Sequence, residues 1–394
     1  MQPSPYTPGE VAREVPGRGE QLAQVDERLA YLVDLQRLVG RIRVDLGSRG
    51  LGKTSLLREV QRRAQARGAV TVWVTAGERL GLVAAIAEEI HRTTQDWRSG
   101  ARGRLRELVE HLKLTVGVPG VATVQASLGH EQQPQAARGV REFEDVVRET
   151  VAAAHRQGHR GLVLFIDEIQ ASDPDGLRTL AYAWQHLQSE GADLPAAVFA
   201  AGLPGAPEAI AAVVTFSERF AYRPLAPLTD AAAELALVTP ARVAGVEWER
   251  PAVAAAVRLA QGYPYSVQLI GDATWSAAGF PDAGARLTLA QVRQGEQAMR
   301  ADLEALFRAR WERSTPREQD VMHAMAGLGD GPVRRAEVAR VMGLSTSELS
   351  VARARLIDKG LVDVAGHGQL AFTIPGFAEY VRTRTDPARP PASG

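Results

Sequence analysis

The chain has no cysteine. Disulfides, thiolate metal sites and cysteine nucleophiles are therefore excluded outright. The absence fits a reducing compartment, so a cytoplasmic protein is expected. Net charge is missing too: 46 basic side chains balance 46 acidic ones. No whole-molecule field draws the protein to nucleic acid or to a membrane, and any such surface has to be local. Lysine is scarce, with Lys53, Lys113 and Lys359 the only ones among 394 residues. A lysine standing at a motif position is thus no accident of composition. Long apolar runs are absent as well. The longest, residues 196–214, is broken by Gly202, Pro204, Gly205, Pro207 and Glu208, whereas a spanning helix needs about 20 nearly uninterrupted apolar residues. No membrane partner is expected. Residues 1–10 also lack the basic start and apolar run of a secretion signal.

What is present is the composition of a globular protein, 45% hydrophobic and 23% charged. The length calls for two or three domains. Residues 1–10 and 385–394, rich in Pro, Ser and Gly, are expected as disordered tails. Over residues 11–228 short apolar runs alternate with helical stretches. Strands are expected at 38–46, 69–75, 162–166 and 196–201, and helices at 53–66 and 82–93. This alternation predicts an α/β core with a parallel sheet covered on both faces. Residues 114–128, rich in Val, Thr and Gly, read as an inserted hairpin. From 229 to 300 the strands stop and Ala-rich helical segments follow, broken at Gly262-Tyr263-Pro264; a small helical domain is expected. Residues 301–384 change character again. Thr315-Pro316-Arg317-Glu318 is a capped helix start. A short helix over 335–342, a tight turn at Gly343-Leu344-Ser345, a helix over 347–359 and strands at 361–364 and 369–374 follow. That is the order of a winged helix-turn-helix.

The chemistry is concentrated in two segments. Gly47-Ser48-Arg49-Gly50-Leu51-Gly52-Lys53-Thr54 matches G-x-x-x-x-G-K-[ST] in full, after a predicted strand and before a predicted helix. Glycines there let the backbone wrap, so that successive N–H groups point at phosphate oxygens. The helix N-terminus, from Lys53 through Ser55, adds a partial positive charge. Lys53 can reach the β- and γ-phosphates of ATP, and Thr54 can ligate Mg2+. The second segment is Leu162-Val163-Leu164-Phe165-Ile166-Asp167-Glu168, an apolar strand ending in two carboxylates. Asp167 is placed to hold Mg2+ through water, and Glu168 to orient or deprotonate an attacking water. Together the two segments predict ATP binding and hydrolysis. A kinase or transferase is disfavoured, because no acceptor-substrate module is apparent.

With these motifs the chain resembles AAA+-type ATPases of bacteria, related to the origin-recognition-like and STAND branches. The resemblance runs from about Val15 to Tyr380. It rests on Pro16-Gly17-Arg18, the phosphate loop, Ile166-Asp167-Glu168-Ile169-Gln170, Ala201-Gly202-Leu203-Pro204, Ser217-Glu218-Arg219-Phe220 and Gly262-Tyr263-Pro264-Tyr265, with 355–361 and 372–377 at the C-terminus. It implies that Gly17 and Arg18 line the adenine side. It implies that Arg219 is an arginine finger offered to a neighbour's γ-phosphate in a homo-oligomer. It also implies that Tyr263 and Pro264 bring a helical lid, residues 229–300, to the nucleotide. The strand at 196–201 ends in Ala and Gly where many relatives place a polar sensor, and no sensor arginine stands beside Gly262-Tyr263-Pro264. Both departures suit a slow switch better than a motor.

On the predicted recognition helix Ser350, Arg353, Arg355 and Lys359 fall away from the apolar face, and Arg335 adds charge nearby. Such a cluster can contact duplex DNA, with the helix in a major groove. Glu348, Asp358 and Asp363 dilute it. In the STAND branch the equivalent domain packs internally and the target is a protein, so both outputs stay open.

Overall fold

An unbroken apolar strand has both faces to bury, and the strands Leu162–Asp167 and Ala196–Gly202 show how this chain does it. In the computed structural model, residues 1–78, 80–97, 99–116, 132–190, 193–366 and 368–384 are described. They divide into two units. The first is Arg13–Gly47 with Lys53–Leu225. Its elements are α1 (Gly19–Val33), β1 (Arg43–Leu46), α2 (Lys53–Ala66), β2 (Val70–Thr75), α3 (Leu82–Thr93), α4 (Ser99–Val116), α5 (Gln132–Arg156), β3 (Leu162–Asp167), α6 (Pro174–Glu190), β4 (Ala196–Gly202), α7 (Ala206–Ala211) and β5 (Ala221–Pro224). The sheet runs β2-β3-β4-β1-β5 and every pairing is parallel. Side chains alternate across it. Val163, Phe165, Ala197 and Phe199 meet Leu29 of α1 and Leu57 and Val60 of α2 on one face. Leu164, Ile166, Val198 and Ala200 meet Ile86, Val147 and Leu180 of α3, α5 and α6 on the other. The α/β core expected from the sequence is the one observed.

Three details differ from expectation. The strand expected over 38–46 is confined to Arg43–Leu46. The Val39 carbonyl accepts instead from Trp184 Nε1 at 3.1 Å. β1 is also not apolar: Arg43 and Asp45, each at most 1% exposed, point the same way and pair at 2.8 Å. Of the hairpin expected at 114–128, Leu114–Val116 instead close α4, and 117–131 lie outside the described residues.

The second unit is Met1–Ala12, Ser48–Gly52 and Ala226–Gly394. Its elements are α8 (Asp230–Val243), β6 (Glu247–Trp248), α9 (Arg250–Ala260), α10 (Pro264–Ala277), β7 (Arg286–Leu287), α11 (Leu289–Glu312), α12 (Pro316–Leu328), β8 (Val333–Arg334), α13 (Arg335–Val341), α14 (Ser350–Asp358), β9 (Val362–Gly366), β10 (Gln369–Phe372) and α15 (Phe377–Arg382). The expectation that strands stop after 229 is corrected by the parallel pair β6–β7. The boundary expected at 300/301 falls inside α11, whose Met299 packs with the α8–α10 core and whose Phe307 packs with α12 and α15. One helix thus serves two cores.

Residues 1–10 are not a loose tail. Tyr6 is 2% exposed. Its hydroxyl donates to the Leu237 carbonyl at 2.5 Å and accepts from Trp248 Nε1 at 2.9 Å. The rings of Trp248 and Trp275 stand edge-on at 6.5 and 6.2 Å. A single buried aromatic outweighs the segment's Pro and Ser content. Residues 385–394, expected as the other tail, lie outside the described residues. At the C-terminal end helix, short helix, turn, helix and hairpin occur in the expected order, with β8 added to give the sheet β8-β10-β9. α14 starts at Ser350 rather than 347. Ser345 and Glu348 bond reciprocally, 2.8 Å from the Ser345 amide and 3.3 Å from the Glu348 amide, and this makes a capped turn of the preceding residues.

Candidate functional site

The phosphate loop leaves β1 beside β4, where the Gly47 amide donates to the Gly202 carbonyl at 3.1 Å. Gly50 and Gly52 have φ of +85° and +82°, a region side chains with a Cβ avoid. Lys53 then opens α2, and Lys53 and Ser55 are both buried. Thr54 Oγ1 donates to Asp167 Oδ2 at 2.8 Å. The loop and the end of β3 are thereby brought to one place.

Burial pushes the Asp167 carboxyl up, as does the charge of Glu168; Thr54, the Glu168 amide and Lys53 oppose them. A carboxylate held high by desolvation gains from a cation. The oxygen pair Thr54 and Asp167 suits Mg2+, which binds through one or two protein oxygens plus phosphate and water. Among the described residues no group of three or more His, Asp or Glu is placed to hold a metal by itself. The donor set therefore fits a cation brought in with a phosphate ligand.

Glu168 is one of four non-glycine residues at positive φ among the described residues, at +53°. Its carboxylate accepts from Gln170 Nε2 at 2.5 Å, and Gln170 Oε1 in turn accepts from the Leu203 amide at 3.0 Å. A Cβ on Gly202 would come within 3.0 Å of that same oxygen. Gln170 thus fills the end of β4, where the sequence showed no polar sensor, and grips the proposed catalytic carboxylate. It lies in the quoted motif, yet no role was assigned to it, because the role depends on Leu203, remote in sequence.

The tip of the loop, Ser48–Gly52, belongs to the second unit and is held there by Tyr263, Asp363 and Phe307. The Tyr263 hydroxyl donates to the Arg49 carbonyl at 2.5 Å. Its oxygen lies 2.1 Å from where a Cβ on Gly50 would stand, so only glycine fits. Ser48 Oγ donates to Asp363 Oδ2 at 3.3 Å. Leu51 is buried in the cluster with Phe307 and Tyr263. Arg310, near the end of α11, is lowered by burial and by the charge of Arg49, with Tyr263 and Tyr265 opposing. Pro264 takes the first position of α10. Gly262, at φ +69°, leaves no room for a Cβ against the Leu228 carbonyl at 2.4 Å. Asp363 and Arg310 had no sequence signal, since both come from elements distant from the loop. The Asp363 carboxyl is pushed up by burial, with the Val364 amide and Ser48 opposing.

The remaining expected residues are dispersed. Gly17 has φ +75°. Arg18 is 5% exposed and electrostatically coupled to Asp45 of β1. Arg219 is exposed in a short turn, its guanidinium 5.9 Å from the Phe216 ring. Arg41 fixes that turn by donating to the carbonyls of Glu218, Arg219 and Phe220 at 3.4, 3.1 and 2.6 Å. Of the five residues expected to meet DNA, Arg355 is exposed and Arg335, Ser350 and Arg353 are partly so. The Lys359 ammonium is taken up internally by Glu318 at 2.5 Å and the Arg313 carbonyl at 2.9 Å.

Comparison with known proteins agrees with this geometry. Residues 14–199 match the AAA ATPase domain family. Residues 304–381 match a domain of unknown function, DUF8462. No curated protein matches the sequence. Among solved structures, the Walker-type ATPase PABY2304 of Pyrococcus abyssi is similar in fold, at 15% identity and a TM-score of 0.59, over 97% of this chain and 99% of that one. The ORC2 protein of Aeropyrum pernix, in ADPNP–ADP complexes, is similar at 15% identity and a TM-score of 0.59, over 96% of each chain. No helix among the described residues is long and apolar enough to cross a membrane. Residues 14–199 are thus similar to AAA ATPase domains, and the fold is that of Orc/Cdc6-like P-loop ATPases.

Proposed function

We propose that this AAA-type ATPase is a slow, Mg2+-dependent ATP switch in which the C-terminal elements respond to the state of the phosphate loop. Lys53 neutralises the β- and γ-phosphates, Thr54 and Asp167 hold Mg2+, and Glu168 orients the attacking water. The cation supplies charge neutralisation at the transferring phosphoryl group. Ser55, with the amides of Gly47–Thr54, completes the phosphate cradle, and Gly17 and Arg18 lie on the adenine side. The observation that carries the switch is the grip on the loop tip. Tyr263 and Asp363 hold Arg49 and Ser48, and a carboxylate at a phosphate loop opposes an incoming polyphosphate. That conformation is the low-affinity, resting one, and release of the tip transmits nucleotide binding to α14 and β9. Gln170 keeps Glu168 restrained in the same state.

The output proposed first is duplex DNA, met by Arg335, Ser350, Arg353 and Arg355 of a winged helix-turn-helix, with assembly into a homo-oligomer whose Arg219 reaches a neighbour's γ-phosphate. A second reading, a STAND-like switch whose target is a protein, is favoured by one observation: Lys359 is engaged by Glu318. Fluorescence anisotropy of a labelled duplex across a salt series decides between them. Binding that weakens steeply with salt and is lost in Arg353→Ala/Arg355→Ala supports the first; no binding at low salt leaves the second. Sizing with a non-hydrolysable ATP analogue tests assembly, and a monomer with and without it eliminates the finger.

A further inference from the structure

Along β1, from Gly40 and Arg41 at its start to Arg223 of β5 opposite Asp45, the first unit gathers arginines that no carboxylate pairs among the described residues. Gly40 and Arg41 lead into β1, α1 lies alongside, and β5 forms the sheet edge. Between them is an open cleft of about 950 Å3. Arg28 and Arg223 are half-buried in its wall and Arg41 is exposed at its rim. Beneath them lies the buried Arg43–Asp45 pair.

The hydrogen bonds of these arginines go to neutral acceptors. Arg28 Nη1 donates to the Arg41 carbonyl at 3.0 Å. Arg223 donates to Gln24 Oε1 at 3.2 Å and to the Tyr222 carbonyl at 3.0 Å. Arg41 is spent on the carbonyls of residues 218–220. Among the described residues none of the three is paired with a carboxylate. Asp45, the buried acid that partners Arg43, is already bound by it and is itself pushed toward the neutral form by burial. Glu27 and Asp34 stand exposed among the lining residues and in no ion pair with these arginines. Arg28 carries the mark of this crowding: burial lowers it, and Arg43, Arg223 and Arg41 lower it further. Like charges held this close gain from an anion, and guanidinium forks match phosphate oxygens in pairs.

We propose that this cleft is a second, effector-type site for a phosphorylated small molecule of nucleotide size, gripped by Arg28 and Arg223. The volume is that of a small-molecule site, roughly 300–1,000 Å3. Leu38, buried, and Leu35 and Tyr31, exposed, give an apolar wall for the body of such a ligand. The arginines are recessed and tethered, which suits a compact phosphate better than the backbone of a duplex, where side chains reach outward from a convex surface.

Inorganic pyrophosphate is the probe, titrated calorimetrically into the full chain already saturated with a non-hydrolysable ATP analogue and Mg2+. One additional site per chain is expected. Arg28→Gln/Arg223→Gln weakens it at least tenfold while leaving affinity for the ATP analogue unchanged. Arg28→Lys/Arg223→Lys, which keeps charge and loses the fork, also weakens it and guards against a folding defect. Pyrophosphate raises the melting temperature of the wild type and not of the double variants. Absence of a further site, or equal binding by wild type and both double variants, overturns the proposal. So does a short duplex DNA that displaces pyrophosphate and loses binding in the same variants, since the cleft then belongs to a nucleic-acid backbone.

Discussion

Tyr263→Phe removes one hydroxyl from the grip on the phosphate loop and leaves the ring in place. The residue is 2% exposed, and the ring keeps its packing against Tyr265, centroid to centroid at 6.3 Å. What goes is the 2.5 Å bond to the Arg49 carbonyl. A neutral bond of this kind has a net value of about 0.5–1.5 kcal/mol. Arg49 is exposed, so water can take over its carbonyl and the larger penalty for a stranded acceptor does not apply. If the bond belongs to the resting conformation alone, its loss shifts the equilibrium toward the released loop by about 2- to 12-fold, at 1.4 kcal/mol per decade. Titration of a fluorescent ATP analogue with excess Mg2+ reads this as an affinity gain of the same size. Guanidinium unfolding of the nucleotide-free protein reads the matching loss of stability. Lower stability with unchanged affinity would refute the reasoning, because the bond would then be present in both states. Weaker affinity would place it in the nucleotide-bound state instead.

Gln170→Ala frees the Glu168 carboxylate from its 2.5 Å partner; ATP turnover should rise by up to about tenfold, given a charge-assisted bond of about 1.5 kcal/mol, and a fall would mean that Gln170 orients Glu168 for catalysis rather than restraining it. Asp45→Ala strands the Arg43 charge at 0% exposure, and denaturant unfolding should show a loss of about 3–5 kcal/mol; a loss under about 1 kcal/mol would mean that water reaches Arg43. Burial raises Glu318, but Lys359 and Thr315 outweigh it and its carboxyl sits below the usual glutamate value. A depressed carboxylate stabilises the fold above its ordinary titration range, near pH 4.3, and that stability is lost as pH falls through the lower folded value. The advantage of wild type over Glu318→Gln should therefore be constant at neutral pH and vanish in acid, measured as denaturant midpoints; a pH-independent difference would show that packing, not charge, sets it.

The parts of this protein that depend on local backbone chemistry were legible in the sequence. The phosphate loop needs glycines, a lysine and a helix start in fixed order, so motif and helix bounds agree with the structure over Lys53–Ala66. Likewise β3 with its terminal Asp167 could be read from six consecutive residues. Features closed by distant partners could not. Nothing near Lys359 announces Glu318, and nothing near Ser48 announces Asp363. Composition argued for a loose end over residues 1–10, but burial of Tyr6 between two tryptophans prevailed. The boundary at 300 was placed where the chain changes character after the Ala-rich segments, whereas α11 runs through it because its Met299 and Phe307 pack into two different cores. Arg43 and Asp45 in a core strand are explained by each other, with Gln24 of α1 accepting a further bond from Arg43 at 3.4 Å.

Steady-state ATP turnover of Glu168→Gln, measured beside nucleotide binding with Mg2+ present, bears most directly on the site. Binding equal to or tighter than wild type with hydrolysis reduced at least a hundredfold is expected, on the order of the loss on removing a general base. Turnover within a few-fold of wild type would contradict the assignment of the catalytic carboxylate.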